Sequence, residues 1–146
     1  MTADDGAIQK YRGDVTPVEA WQVLTDDRKA ILVDVRTEAE WNFVGVADLS
    51  AVGKEAVLMS WKFFPGNQDN PKFVDDLSGR VVDRDVTLLF LCRSGVRSKA
   101  AAAAMTRAGY TECFNVSEGF EGDLDASKHR GVSGGWKTAA LPWIQG

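Results

Sequence analysis

Short apolar runs that alternate with helix-like segments dominate the hydrophobic pattern of the chain. The strongest runs cover residues 30–35 and 86–91, and both are rich in Val and Leu. Nearly unbroken apolar runs of this length are typical of strands that are covered on both faces. Weaker runs predict two further strands, one at 56–61 and a last one at 113–116.

Capping patterns between these runs mark the helix starts. Residues 16–19 read Thr-Pro-Val-Glu and residues 37–40 read Thr-Glu-Ala-Glu, so each offers a capping hydroxyl with a glutamate three positions later. They predict helices that extend to about residue 24 and through Trp41. An Asn-Pro pair predicts a third helix over 70–79, and Ser98 followed shortly by five alanines predicts a fourth that ends near Gly109.

The order of these elements predicts one α/β domain. Because strands and helices alternate, we expect a parallel sheet. The domain is predicted to span 10–146, with no linker that would divide it, and residues 1–9 are predicted to form a flexible tail. Glycines and tryptophans after the last predicted strand indicate an irregular segment, which we expect Trp136 and Trp143 to anchor.

Composition adds few constraints. The chain has 146 residues, 45% hydrophobic and 26% charged, and its formal net charge of -4 is too mild to indicate a nucleic-acid partner. Its first residues do not resemble a signal peptide, and no apolar run approaches the ~20 residues of a membrane span. We therefore expect a cytoplasmic protein without a membrane partner.

The most informative segment is Cys92-Arg93-Ser94-Gly95-Val96-Arg97, between a predicted strand and a predicted helix. In open α/β sheets, ligands bind where strands end, and the first amides of a helix have no intrahelical partner. These amides, the helix dipole and two arginines favour an anion, and the glycine permits the turn that aims amides inward. The sequence therefore predicts that Cys92 is held largely as a reactive thiolate.

The segment from Cys92 to Ser98 resembles the active-site loop of the rhodanese family. Asp34-Val35-Arg36, followed by Glu40-Trp41, resembles the Asp-Val-Arg and Glu-aromatic signature of that family, and the likeness covers about residues 14–143. The chain departs from the common pattern at residues 42–47, and at Glu118-Gly119-Phe120, where Glu-Gly-Gly is common. The resemblance implies a three-layer fold with a mostly parallel five-stranded sheet flanked by helices.

The resemblance also implies a reaction. Cys92 as nucleophile would take a sulfur from a small anionic donor such as thiosulfate, hold it as a persulfide, and pass it to a thiol or protein acceptor. No cofactor or metal is implied. The loop residues expected to bind the anions are Arg93, Ser94, Gly95, Val96, Arg97 and Ser98. Asp34, Arg36 and Glu40 are interpreted as structural support, and the four-residue spacing of Arg36 and Glu40 allows an ion pair.

Two other functions stay open. A cysteine followed five residues later by arginine also suits a phosphatase or arsenate reductase, although rhodanese-like phosphatases carry one more residue in the loop. A non-catalytic rhodanese module that senses sulfur or binds a partner is the other. His129 is interpreted as a surface residue rather than a general base, and Cys113 as a structural thiol. A single histidine and two distant cysteines do not indicate a metal site.

Overall fold

The computed structural model describes residues 10–130 and 134–145, so the predicted tail over 1–9 lies outside the described residues. Four α-helices, nine short strands and one 3-10 turn (Ser50–Val52) follow one another along this part of the chain. In chain order the helices and strands are β1 (Gly13–Val15), α1 (Pro17–Asp26), β2 (Ile31–Asp34), α2 (Glu38–Phe43), β3 (Val46–Ala47), β4 (Val57–Leu58), β5 (Lys62–Phe63), β6 (Gln68–Asp69), α3 (Phe73–Arg80), β7 (Leu88–Leu91), α4 (Val96–Arg107), β8 (Cys113–Val116) and β9 (Trp143–Ile144).

The predicted parallel sheet is confirmed. It has five strands in the order β1-β8-β7-β2-β4, and each neighbouring pair in it is parallel. Strand β7 lies in the middle and is buried along its whole length, as its unbroken apolar run predicts. Its carboxyl end therefore lies at the centre of the sheet edge, and Cys92 is the next residue.

Helices cover both faces of the sheet, which gives the three layers that the resemblance implies. Side chains alternate along β7, so Leu88 and Phe90 join one half of the core while Leu89 and Leu91 join the other. Helices α3 and α4 pack in the first half, whereas α1 packs in the second. Trp136 is fully buried in the second half, as expected of an anchor for the segment that follows β8.

Both predicted capping boxes are present. At α1 the Thr16 side chain accepts from the Glu19 amide at 3.1 Å, and the Thr16 amide donates to the Glu19 carboxylate at 2.8 Å. Thr37 and Glu40 form the same reciprocal pair at the start of α2. Local hydrogen bonding therefore determines both helix starts, which is why the sequence pattern predicts them.

The structure corrects two predicted elements and adds two strands that were not predicted. The strand at 56–61 is regular only at β4, because the chain then turns toward the β5–β6 hairpin. Helix α4 begins before Ser98, with Gly95 as its N-cap. The two strands that were not predicted are β1, which pairs with β8, and β9, which pairs antiparallel with β3. The last described strand is therefore β9 and not β8. Both β1 and β9 are too short to produce a clear hydrophobic pattern.

Within the described residues, no helix has both the length and the apolar character needed to cross a bilayer.

Candidate active site

Cys92 stands at the junction that the sequence predicts, directly after β7 and four residues before α4 begins. Its side chain is only 1% exposed. Two donors lie beside the sulfur: the Gly95 amide donates to Sγ at 3.1 Å, and the Ser98 Oγ lies 3.2 Å from Sγ. The loop therefore folds back so that a backbone N–H from the N-cap of α4 points at the cysteine sulfur.

Gly95 can make this turn because it has no Cβ. Its φ is +107°, and a Cβ added there would lie 2.4 Å from the Ser117 carbonyl oxygen. A side chain at this position would be strained by the backbone angle and would also collide with the neighbouring segment. The predicted role of glycine as the turning residue of the loop thus has a second reason that the local sequence does not reveal.

The segment after β8 holds the loop backbone in place. The Phe120 amide donates to the Cys92 carbonyl at 2.8 Å, and the amides of Glu121 and Gly122 both donate to the Arg93 carbonyl. Gly119 brings the two chains together, since a Cβ there would lie 2.5 Å from the Arg93 carbonyl oxygen. Sequence reasoning missed this support, and the closely spaced glycines after β8 were the signal for a close backbone approach.

The structure corrects the ion pair expected between Arg36 and Glu40. Glu40 pairs instead with Arg97, whose two terminal nitrogens donate to the two carboxylate oxygens at 2.7 and 2.9 Å. Burial alone would raise the pKa of Glu40, but the hydrogen bonds and charge of Arg97, together with Thr37, lower this pKa to about 2. Glu40 thus links the capping box of α2 to the first turn of α4.

Arg36 pairs with Asp34, two residues before it. Both side chains are buried, and the guanidinium donates to the Asp34 carboxylate at 2.7 Å from Nη2 and 2.9 Å from Nε. Nη2 also donates to the Gly45 carbonyl, and the guanidinium lies over the Phe120 ring, 4.2 Å from its centre. This pair joins the end of β2 to the segment after α2 and to the segment that supports the loop.

The predicted binding residues divide between two cavities and the protein interior. Arg93 and Arg97 line a cavity of about 580 Å³ whose walls include the exposed rings of Phe43, Phe63 and Phe64. Other loop residues line a second cavity of about 370 Å³. Its walls come from the loop, α4, β1 and β8, and include Ser94, Gly95, Val96, Lys99, Asp14 and Asn115.

Two members of the predicted binding set lie elsewhere than expected. Val96 is 76% exposed and lines the second cavity, not the one lined by Arg93 and Arg97. Ser98 is fully buried and lines neither cavity; it contacts Cys92 from inside the protein. It is therefore better placed to act on the sulfur than on a free anion.

Cys113 and His129 do not have the properties of reacting groups. Cys113 is fully buried, and burial raises its pKa to about 11, which keeps it a neutral thiol. His129 is exposed, as predicted, and its backbone amide donates to Asp125. Across residues 10–130 and 134–145, no cluster of three or more His, Cys, Asp or Glu side chains is placed to hold a metal ion.

The central parallel sheet, with a cysteine loop between its middle strand and a helix, is a rhodanese-like α/β fold. The family model described as the STR4 middle domain matches residues 13–146. The chain therefore belongs to the STR4 middle-domain family.

Two solved structures and one further protein are similar to the chain. The crystal structure of Rv0390 from M. tuberculosis is 50% identical, with a TM-score of 0.87, and the match covers 94% of this chain and 100% of that one. An uncharacterised protein of Rickettsia conorii is 37% identical over 88% of this chain and 94% of its own length. The solution structure of the polysulfide-sulfur transferase homodimer from Wolinella succinogenes shares the fold, with a TM-score of 0.63 at 20% identity, over 90% of this chain and 77% of that one.

Proposed function

We propose that the chain is a sulfurtransferase that moves a sulfane sulfur through a persulfide on Cys92. The observation that carries this proposal is the Gly95 amide, which donates to Sγ at 3.1 Å from the N-terminal end of α4. A fixed N–H donor at a helix N-terminus stabilises negative charge on a nearby sulfur, both in the attacking thiolate and in a persulfide. The nucleophile is already at the end of the strand that positions it.

The proposed reaction has two steps. The Cys92 thiolate attacks the outer sulfur of thiosulfate; a new S–S bond forms, the bond between that sulfur and the sulfonate sulfur breaks, and sulfite leaves with the electron pair. The acceptor, a thiolate or cyanide, then attacks the terminal sulfur of the persulfide and takes it. Cys92 leaves as a thiolate again, so no external oxidant or reductant is needed.

The donor is proposed to enter from the cavity lined by Arg93 and Arg97. Arg93 is exposed there and forms no salt bridge with the described residues, so its charge is available to an anionic donor. Thiosulfate would fill only a small part of the 580 Å³. A polysulfide chain would suit both the charge and the apolar walls, and a structural neighbour is described as a polysulfide-sulfur transferase. The acceptor is proposed to be a small thiol or the thiol of a partner protein.

Phosphatase or arsenate reductase activity is not favoured. An arginine that binds a tetrahedral oxyanion has to offer its two-pronged guanidinium to that anion. Here both prongs of Arg97 are engaged by Glu40. Binding an oxyanion in this way would break the bidentate pair of Arg97 with Glu40. Transfer of a sulfur atom to Cys92 does not require that this pair be broken.

Intact mass after incubation with thiosulfate, and separately with polysulfide, tests the proposal. We expect a gain of one sulfur atom that dithiothreitol removes, that Cys92→Ser lacks and that Cys113→Ser retains. Thiocyanate release with cyanide as acceptor is expected to follow the same pattern.

Two results would contradict the proposal. No mass gain with either donor would leave a non-catalytic binding module as the better interpretation. Phosphate release from an aryl phosphate without thiocyanate formation, lost in Cys92→Ser, would favour the phosphatase.

A further inference from the structure

A chain of hydrogen-bonded side chains leads from Cys92 back to the first strand. Ser98 Oγ lies 3.2 Å from the Cys92 sulfur and 2.6 Å from the Asn115 Oδ1. The Asn115 Nδ2 donates to the Asp14 carboxylate at 3.1 Å, and the Tyr11 hydroxyl donates to the same carboxylate oxygen at 2.8 Å. This series of hydrogen bonds therefore runs from α4, through β8, to β1 and the residues just before it.

Ser98 has one proton and two acceptors within reach. The Asn115 Oδ1 can only accept, and at 2.6 Å it is the closer partner. While the hydroxyl donates to Asn115, its oxygen offers lone pairs to Cys92, an arrangement that suits an S–H thiol and not a thiolate. Ser98 can stabilise a Cys92 thiolate only if its proton turns toward the sulfur and leaves the amide oxygen without its donor.

Asp14 determines which end of the Asn115 amide faces Ser98. The reversed amide would place its oxygen against the Asp14 carboxylate, where two acceptors repel, so the nitrogen stays on that side. Asn115 is 2% exposed, and its backbone pairs with Asp14 on one neighbouring strand and Phe90 on the other. Both the position and the orientation of the amide are therefore fixed.

We propose that Asn115 is a positioning residue that, oriented by Asp14, holds the Ser98 proton and so limits how well Ser98 stabilises the Cys92 thiolate. The inference deepens the proposed function, since it rests on Cys92 as the reacting group. Its consequence is that removing Asn115 frees the Ser98 hydroxyl to donate to the thiolate. Cys92 then ionises at lower pH.

Other charges around Cys92 come from the loop, from α4, from β1 and from the end of β2 with α2. They are Arg93, Arg97, Lys99, Asp14, Asp34, Arg36 and Glu40. Asn115→Ala leaves all of them in place, so a change in ionisation on that substitution is not a change in local charge. Asp14→Ala removes one charge, and its effect therefore needs the Ser98→Ala background as a control.

The test is the pH dependence of Cys92 alkylation by iodoacetamide, measured in a Cys113→Ser background. A hydrogen bond to a thiolate favours ionisation by about one pH unit, so we expect Asn115→Ala to move the midpoint down by about one unit. Well below both midpoints, alkylation should be about tenfold faster. Asp14→Ala, at an exposed residue, should shift the midpoint in the same direction.

Ser98→Ala provides the decisive comparison, because it removes the hydroxyl whose proton Asn115 accepts. In that background Asn115→Ala should leave the midpoint unchanged, and Asp14→Ala should retain only the small effect of its charge. Equal shifts with and without Ser98 would overturn the inference, as would unchanged midpoints in folded Asn115→Ala and Asp14→Ala. If circular dichroism shows Asn115→Ala unfolded, Asp14→Ala decides alone. Alkylation is measured without a sulfur donor, so failure of sulfur transfer does not mimic either result.

Discussion

Substituting Gly119 by alanine probes how closely the segment after β8 has to approach the catalytic loop. Gly53 is a matched control, because its φ is +70° and that of Gly119 is +67°. An added Cβ meets nothing within 4 Å at Gly53, whereas at Gly119 it would lie 2.5 Å from the Arg93 carbonyl oxygen and 2.6 Å from that of Cys92. The two variants share the backbone strain and differ in the collision.

The magnitudes follow from these contacts. A left-handed backbone angle costs an alanine about 1–2 kcal/mol, which applies to both variants. The collision adds about 1–3 kcal/mol in Gly119→Ala only. At about 3 °C per kcal/mol for a chain of this length, we expect Tm to fall by about 3–6 °C in Gly53→Ala and by about 6–15 °C in Gly119→Ala.

The activities should separate further than the stabilities. Cβ contacts below 3.0 Å essentially never occur, so the loop backbone at 92–93 or its supporting segment has to move by at least about 0.5 Å. Displacement of a nucleophile by 0.5–1 Å lowers a rate by about tenfold to hundredfold. We therefore expect persulfide formation from thiosulfate to slow by that factor in Gly119→Ala and to be unchanged in Gly53→Ala.

Thermal unfolding followed by circular dichroism and thiosulfate–cyanide turnover at 25 °C measure both effects on folded protein. Equal Tm values and equal rates for the two alanine variants would refute the reasoning, because they would mean that the collision is relieved without moving the loop. A rate loss in Gly53→Ala as large as in Gly119→Ala would refute it too, since a Cβ at Gly53 meets nothing within 4 Å.

Three further predictions concern ionisable groups. The folded-state pKa of Glu40 lies near 2, below its ordinary value of 4.5. Its ion pair therefore stabilises the fold above about pH 4.5, and this stability is lost as the pH falls toward 2. In urea unfolding, the free energy of unfolding of Glu40→Gln should be about 1–2 kcal/mol lower than that of the parent at pH 7 and equal to it near pH 2. Alkylation at pH 8 should leave Cys113 unmodified in the native protein and label it in urea, because burial raises its pKa to about 11; native labelling would contradict its burial. Arg36→Met should cost about 3–5 kcal/mol by leaving a buried carboxylate unpaired, whereas Arg12→Met at an exposed ion pair should change stability by less than about 1 kcal/mol; similar losses at both sites would be inconsistent with this reasoning.

The features that the sequence predicts well are those decided by neighbouring residues. Each capping box joins two residues that are three positions apart. The long apolar runs of β2 and β7 can be assigned as buried strands without knowing which strands pair with them. The position of Cys92 between strand and helix has the same local origin. Short strands such as β1 and β9 fail this test, because their two or three residues become strands only through the partners that pair with them.

The errors in the candidate site arise from competition between partners that are distant in sequence. Arg36 has two carboxylates within helical or strand reach, and spacing alone favours Glu40. The Glu40 carboxylate is instead occupied by its own capping box and by Arg97, which lies 57 residues away and approaches it only because α2 and α4 begin at the same edge of the sheet. Arg36 is then left to the Asp34 carboxylate, buried at the end of β2.

The same competition explains why Asn115 could not be recognised from the sequence. An asparagine in a buried strand has no local feature that indicates a function, and it lies 17 positions after Ser98, beyond most of α4 and the turn into β8. Its relation to Cys92 depends on strand order, because only a sheet in which β8 lies between β7 and β1 places one amide beside both Ser98 and Asp14. The reactivity of the cysteine loop is thus determined partly by its own residues and partly by the strand packed beside it.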